Sequence, residues 1–175
     1  MLFDNPTIDI QHLPPLAEIS WNAPAPGHLR QGLVQTAILF GVFGVGIAIA
    51  QFIGVPTEVF YPVMGVYILL LTFSIIFVIK DHQVRGYALR QRDITAKSGW
   101  IFRNVTTVPF NRIQHVETKE GVIERLFGLS TLQVFTAGGS ASDLAVPGLP
   151  ADTAMRIKEF ISVAASEQPV DQEEE

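Results

Sequence analysis

The side chains that most often carry enzyme chemistry are scattered along this sequence. Its four histidines are His12, His28, His82 and His115, and none stands in a metal-ligand spacing such as HExxH. Gly138-Gly139-Ser140 lacks the strand–turn–helix setting of a phosphate loop or a nucleophile elbow. Three nearby carboxylates, Glu117, Glu120 and Glu124, would suit a cation, but a solvated acidic edge is commoner. We therefore predict no catalytic residue, no cofactor and no metal, and a protein that is not an enzyme.

Two charge-free stretches predict a membrane hairpin of two helices. Leu33–Ile53 and Val59–Ile79 each contain 21 residues without a charge, and a helix of that length crosses a hydrocarbon layer about 30 Å thick. The connection between them has no Lys or Arg, whereas five cations follow the second stretch: Lys80, Arg85, Arg90, Arg92 and Lys97. Because cations favour the cytoplasmic side, we expect a multi-pass protein with both termini in the cytoplasm. The absence of ionisable residues within the spans argues against a self-sufficient transporter or channel.

Composition divides the chain into four segments: a proline-rich arm (1–30), the membrane hairpin (31–80), a small folded domain (81–164) and an acidic, disordered tail (165–175). Prolines at positions 6, 14, 15, 24 and 26 keep the arm from forming a long helix. Trp21 would rest either at the lipid headgroups or on the folded domain, and the nearby span favours the headgroups. The sequence has no cysteine, which excludes disulfides and thiolate chemistry.

The periodicity changes after the second span, from continuous apolar residues to short alternating segments. These segments predict antiparallel strands, at about 87–91, 94–97, 102–108, 115–118, 131–136 and 144–146. Val122, Ile123, Leu126 and Phe127 cluster as a short helical turn. From about Pro150 to Ala164 the apolar residues follow a helical period. The pattern predicts a small β-barrel or sandwich closed by a carboxyl-terminal helix.

Four small residues lie on one face of the first span. Ala37, Gly41, Gly44 and Ala48 are spaced by four, three and four residues, and such a face lets another helix approach closely. Its partner would be the second span, another subunit or a different membrane protein, and the short connection favours the second span.

Five short motifs of the folded domain occur in a characteristic order. They are Tyr87-Ala-Leu-Arg, Lys97-Ser98-Gly99, Val108-Pro-Phe-Asn-Arg-Ile-Gln-His-Val116, Glu124-Arg-Leu-Phe-Gly-Leu129 and Leu132-Gln-Val-Phe-Thr-Ala-Gly138. Together they resemble the bacterial pleckstrin-homology (PH) domain of YdbS-like membrane proteins, over residues 30–163. The resemblance implies a bent barrel of about seven antiparallel strands capped by a carboxyl-terminal helix, without enzymatic activity. It also implies a bacterial cytoplasmic membrane and a neighbouring, larger membrane protein with several such domains.

The residues of these motifs have structural interpretations. Pro109 at a strand end and Gly128 after a helical turn suit reversals of the chain. We expect Arg112 and Arg125 to bond loop carbonyls or an acidic neighbour, although either guanidinium would also suit an anionic headgroup or a partner carboxylate. Ile113 belongs to the same motif and is expected to be structural.

A basic segment next to the membrane offers a second set of candidate contacts. Arg85, Arg90, Arg92 and Lys97 would meet anionic lipid or a partner, since each cation near an anionic surface is attracted by about 1 kcal/mol. The same cations also fix the topology, which would explain them without a ligand.

Two functional hypotheses follow from the sequence. The preferred one is a protein-interaction module or scaffold in a membrane assembly, and the alternative is a sensor or binder of anionic headgroups at the inner leaflet. The expected partners are membrane lipid and another membrane protein, with a homo-oligomer as a further alternative and no nucleic acid.

Overall fold

Two long helices open the computed structural model, which describes residues 19–137 and 142–167. Helix α1 covers Pro26–Phe52 and helix α2 covers Thr57–Val84. Both are long and apolar enough to cross a membrane, so the predicted helical hairpin is confirmed. Each helix extends beyond its charge-free stretch on the side of the folded domain. Pro26 starts α1, where its missing N–H leaves no helical bond unmade.

Six strands and two further helices follow the hairpin. The first sheet has the order β1-β2-β3 and the second the order β4-β5-β6, both antiparallel. The bounds are β1 Gly86–Leu89, β2 Asp93–Ser98, β3 Asn104–Pro109, β4 Ile113–Lys119, α3 Val122–Leu126, β5 Leu129–Thr136, β6 Leu144–Pro150 and α4 Ala151–Glu167. We call the part from β1 to α4 the β-domain.

The core of the β-domain lies between its two sheets and α4. Ile94 of β2 and Leu132 of β5 are completely buried, because alternate residues of each strand point inward. Ala154, Ile157 and Ile161 of α4 are buried against them, which confirms the predicted apolar face of this helix. Burial at these positions supplies most of the stability of so small a domain.

The strand number differs from the expectation of about seven. The described residues form six strands. β1 begins two residues after α2 ends, and Phe110–Arg112 form a 3₁₀ turn between the two sheets. Beside β1, Asn22 alone pairs with Tyr87 by two backbone hydrogen bonds of 2.8 and 2.9 Å. Pro24 lies two residues further along and has no backbone N–H to donate, so this pairing stays too short for a strand.

Several sequence predictions fall outside the described residues. They concern His12, the prolines at positions 6, 14 and 15, the turn Gly138–Ser140 and the tail beyond Glu167. Helix α4 continues to Glu167, into the segment expected to begin the disordered tail.

Candidate functional site

The β-domain joins the membrane hairpin without a flexible linker. Helix α2 ends at Val84 and β1 begins at Gly86, so Arg85 is the single connecting residue. Its backbone N–H donates to the carbonyl of Asp81, and its Nε donates to Asp81 Oδ2 at 2.6 Å. Asp81 is buried, so this ion pair fixes the direction in which the chain leaves the helix.

The residues that precede the membrane also dock on the β-domain. Asn22 pairs with Tyr87 of β1, and the N–H of Ala25 donates to the carbonyl of Gly148 in β6 at 2.9 Å. The ring of Trp21 lies under Lys97, with Nζ 4.6 Å from the ring centre. Trp21 therefore packs on the folded domain, one of the two positions expected from the sequence. Backbone pairing at two strands holds this segment in place.

A histidine pair lies where both helices meet the β-domain. The Nδ1 atoms of His28 and His82 are 3.2 Å apart and their rings are stacked, so one ring donates and the other accepts. His28 also packs against Gly148, whose φ is +75°. A Cβ at Gly148 would lie 2.6 Å from the His28 ring. Only glycine therefore allows this contact.

Burial lowers the pKa of His28, and the nearby charges of Arg85 and His82 lower it further. The carboxylates of Asp81 and Glu124 act in the opposite direction with smaller effect. His28 precedes the charge-free stretch of α1 and lies against β6, outside the membrane-spanning segment. His28 is therefore uncharged at physiological pH, and a neutral imidazole can accept a hydrogen bond at Nδ1.

The four basic candidates are engaged to different degrees. Arg85 pairs with Asp81, as described above, and Arg90 Nε donates to Asp93 Oδ1 at 2.6 Å. Lys97 covers Trp21. Arg92 is exposed and has no ion-pair partner among the residues that the structure describes. Three of the four cations are thus committed to contacts within the chain.

The small-residue face of α1 does not pack on α2 as a unit. A Cβ built at Gly44 would lie 2.9 Å from the hydroxyl of Tyr67. Around a Cβ built at Gly41, no atom of the described residues lies within 4 Å, apart from the chain neighbours and the local helix backbone. Ala37 and Ala48 are exposed like Gly41. The α1 residues that contact α2 include instead Gly32, Phe40 and Gly44. Packing against the second span therefore explains Gly44 and leaves Ala37, Gly41 and Ala48 facing outward.

A groove runs between the outer edge of β1 and helix α4. It encloses about 400 Å³ and is lined by Asn22, Tyr87, Leu89, Thr153, Arg156, Ile157 and Phe160. In the part of the chain that the structure describes, this strand edge is occupied by Asn22 opposite Tyr87 and is open beside Leu89. Burial raises the pKa of the Tyr87 hydroxyl. An extended segment can add to such an edge, while its side chains enter the apolar groove.

Comparisons with known proteins agree with this arrangement. A family model described as a bacterial PH domain matches residues 37–165. The chain belongs to the bacterial PH domain family. The UPF0699 transmembrane protein YdbS of Bacillus subtilis (strain 168) is 30% identical over 102 residues, which cover 57% of this chain and 62% of that protein. The chain thus matches less than two thirds of that relative's length.

A solved structure adds a more distant likeness to the bacterial PH domain. A DUF1696 family protein with a pleckstrin-homology domain from Shewanella loihica PV-4 is 14% identical, with a TM-score of 0.36. The match covers 46% of this chain and 70% of that one. The family resemblance seen in the sequence is confirmed by the family model, and the two apolar helices make this member a membrane protein.

The motif residues of the bacterial PH domain occupy structural positions. Pro109 ends β3, Gly128 has φ +63° after α3, and Ile113 packs against the core. Arg112 is exposed and is the last residue of the 3₁₀ turn. Arg125 pairs loosely with Glu120, at 3.8 Å, and is 77% exposed.

Glu124, one of the three nearby carboxylates, has a structural role. Its carboxylate accepts from the N–H of Gly121 and from the hydroxyl of Thr131, each at 2.7 Å. It therefore caps α3 and ties it to β5.

Sequence reasoning missed the residues of the junction. His28 lies five residues before the first charge-free stretch and His82 three residues after the second. In a hairpin, residues just outside the outer ends of the two spans come together, so the similar positions of His28 and His82 were the signal that could have predicted their contact. The contact of His28 with Gly148 had no such signal, since the two are distant in sequence.

Proposed function

We propose that this member of the bacterial PH domain family is a non-enzymatic membrane scaffold. It holds its PH domain at the cytoplasmic face of a bacterial membrane and binds a second membrane protein. The observation that carries the proposal is the junction, in which Asn22 and Ala25 make backbone hydrogen bonds to two different strands. A domain fixed in this way presents its surfaces at one orientation, which a domain on a flexible tether would not do. The cations after the second span support the cytoplasmic placement.

The first proposed contact surface is the outward face of α1. Ala37, Gly41 and Ala48 are exposed, and no heavy atom outside the local helix lies within 4 Å of a Cβ built at Gly41. Small residues let another helix approach the backbone, and helix association in lipid depends on such close packing. Because α2 already packs elsewhere on α1, this face is available to a helix from another chain.

The second proposed contact surface is the groove between β1 and α4. Among the described residues, the edge of β1 is paired only opposite Tyr87, and Phe160 on the other wall is 47% exposed. An extended segment of a partner would continue the sheet beside Leu89 and place an acidic residue near Arg156. The partner that we propose is a larger membrane protein with several PH-like domains, with a second copy of this chain as the alternative.

The helix surface is tested by purifying the intact protein in mild detergent, washing at high salt and identifying bound proteins by mass spectrometry. We expect a stoichiometric membrane protein, and we expect Gly41→Leu to lose it. Gly46→Leu is the matched control, because Gly46 is equally open but lies on another side of α1. Retention of the partner by both variants would remove α1 from the proposal. Co-purification of two differently tagged copies would identify a homo-oligomer instead.

The groove is tested in the same purification with a charge reversal. Arg156→Glu should weaken the complex, because it places a like charge next to an acidic segment of the partner. Arg125→Glu is the control, since Arg125 is an exposed arginine of α3 that does not line the groove. Equal retention by both variants would exclude the groove as the contact surface.

Recognition of anionic headgroups is the alternative function, and it has less support. Arg85 and Arg90 are paired with carboxylates and Lys97 covers Trp21, which leaves Arg92 as the candidate contact. The test compares the thermal stability of the intact protein in nanodiscs with and without phosphatidylglycerol, at low and high salt. Headgroup binding predicts a salt-sensitive stabilisation that Arg92→Gln removes. Equal stability in both lipids is the result expected of the scaffold.

A further inference from the structure

The turn between β2 and β3 carries an exposed apolar tip. Trp100, Ile101 and Phe102 follow one another in this turn, and Ile101 and Phe102 are 55% and 82% exposed. Gly99 shapes the turn with φ +88°, and a Cβ there would collide with the carbonyl oxygen of Phe102. Hairpin turns in contact with water are usually built from polar residues. Three consecutive large apolar side chains at a glycine-fixed turn therefore indicate an apolar environment around the tip.

The position of the tip relative to α2 identifies that environment. The ring of Trp100 meets the ring of Phe77 edge to face, with the centres 6.3 Å apart. Phe77 belongs to the charge-free stretch of α2 and precedes Lys80 by three residues, which is about 4.5 Å along the helix. The apolar tip is thus continuous with the lipid-facing surface of α2, at the level where the hydrocarbon gives way to headgroups.

The residues around the tip match the layers of a membrane interface. Tryptophan concentrates at the headgroup level, and large apolar side chains enter the upper acyl region. Arg103 directly follows the tip and is exposed. Arg103, Gln83 and Lys97 line a groove between the turn and the end of α2. Polar and cationic groups therefore lie directly beside the apolar tip.

We propose that Trp100, Ile101 and Phe102 insert into the leaflet next to the PH domain and anchor this domain to the lipid. The ligand is the interfacial and upper acyl layer of the bilayer. Insertion depends on apolar contact, so it does not require anionic lipid. This anchor is independent of the proposed scaffold function, because it needs no protein partner and uses neither α1 nor the groove beside β1.

Tryptophan fluorescence of the intact protein in vesicles tests the proposal. The sequence has two tryptophans, so Trp21→Phe leaves Trp100 as the single reporter and Trp100→Phe leaves Trp21. In phosphatidylcholine vesicles with bromine in the upper acyl chain, we expect Trp100 to be quenched several-fold more than Trp21. Addition of phosphatidylglycerol should leave this ratio unchanged. Equal quenching of the two reporters, or quenching of Trp100 only with phosphatidylglycerol, would overturn the proposal.

A spin label provides a second measurement that leaves both tryptophans in place. Because the chain has no cysteine, Phe102→Cys carries a single nitroxide, and Val163→Cys on the exposed side of α4 is the control. We expect the label at position 102 to collide mainly with oxygen and the label at position 163 mainly with an aqueous nickel complex. Preference of label 102 for nickel would place the tip in water. Low accessibility to both reagents would place it in a protein interface, and either result refutes insertion.

Discussion

Gly148→Ala should loosen the attachment of the PH domain to its membrane helices. Gly148 lies in β6 with φ +75°, accepts the N–H of Ala25 and packs against His28. A methyl group there meets three atoms of His28, its Cβ, Cγ and Cδ2, at 2.6 to 2.7 Å. Carbon atoms pack at about 3.5–4.0 Å, so the imidazole must move by about 1 Å. That movement breaks its contact with His82.

Two separable terms set the size of this effect. A non-glycine residue with left-handed backbone costs about 1–2 kcal/mol, and overpacking a close contact costs about 1–3 kcal/mol. The expected loss of stability is therefore about 2–5 kcal/mol for Gly148→Ala. Gly128→Ala is the matched control, because Gly128 also has positive φ, but no described residue beyond its two chain neighbours comes within 4 Å of the added Cβ. Gly128→Ala should lose only the stability that a left-handed backbone costs a non-glycine residue, about 1–2 kcal/mol.

Thermal unfolding of the intact protein in detergent measures the difference. For a chain of this size each kcal/mol lowers the Tm by about 2–4 °C, so Gly148→Ala should fall clearly below Gly128→Ala. Adding His28→Gly to Gly148→Ala should raise the Tm above that of Gly148→Ala, because all three overlapping atoms of His28 are then gone. Equal Tm losses for the two alanine variants would refute the steric argument. A double variant no better than Gly148→Ala would do the same.

Three further predictions concern the histidine pair, the core and the hairpin. Because the pKa of His28 is lowered in the fold, its contribution to stability is complete above about pH 6.5 and is lost as the pH falls through the folded pKa. The Tm should drop on acidification, and His28→Gln should flatten the pH profile. Leu132→Ala, at a fully buried site, should cost about 2–5 kcal/mol in denaturant unfolding, whereas exposed Leu126→Ala should change it by less than about 0.5 kcal/mol. Gly44→Ala should displace the Tyr67 hydroxyl from its carbonyl partner, which lowers the Tm by an amount corresponding to about 0.5–1.5 kcal/mol and leaves a Tyr67→Phe background unaffected.

The sequence determines the elements of this protein more clearly than their contacts. The charge-free stretches predict the hairpin because a helix of 21 mainly apolar residues without a charge is unsuited to a surface in water. Helix α4 is predictable because Ala154, Ile157 and Ile161 repeat at the helical period and all three are buried. Both signals are local, since they depend on spacing within a single element.

The junction and the outward face of α1 could not be predicted in this way. Gly41 and Gly44 satisfy the same helical spacing, yet only Gly44 meets α2, because the rotation of α1 is set by contacts such as Gly32 against Val78. Spacing defines a face, and packing decides its direction. The basic segment shows both cases, because the spacing of Asp81 and Arg85 is a local signal, whereas Trp21 and Lys97 become neighbours only after folding.

Two contacts between the PH domain and its membrane helices explain how the domain would be held in one orientation. A body held at a single point can swivel about it, whereas two separate attachments remove most of that freedom. On the α1 side, Gly148 of β6 packs against His28. On the α2 side, Trp100 of the β2–β3 turn packs against Phe77. These two attachments involve different sheets of the domain, so the direction of the groove beside β1 is fixed relative to the bilayer. The proposed partner, entering from the membrane, would therefore meet the groove and the outward face of α1 in one fixed geometry, and its binding would cost less conformational entropy than with a tethered domain.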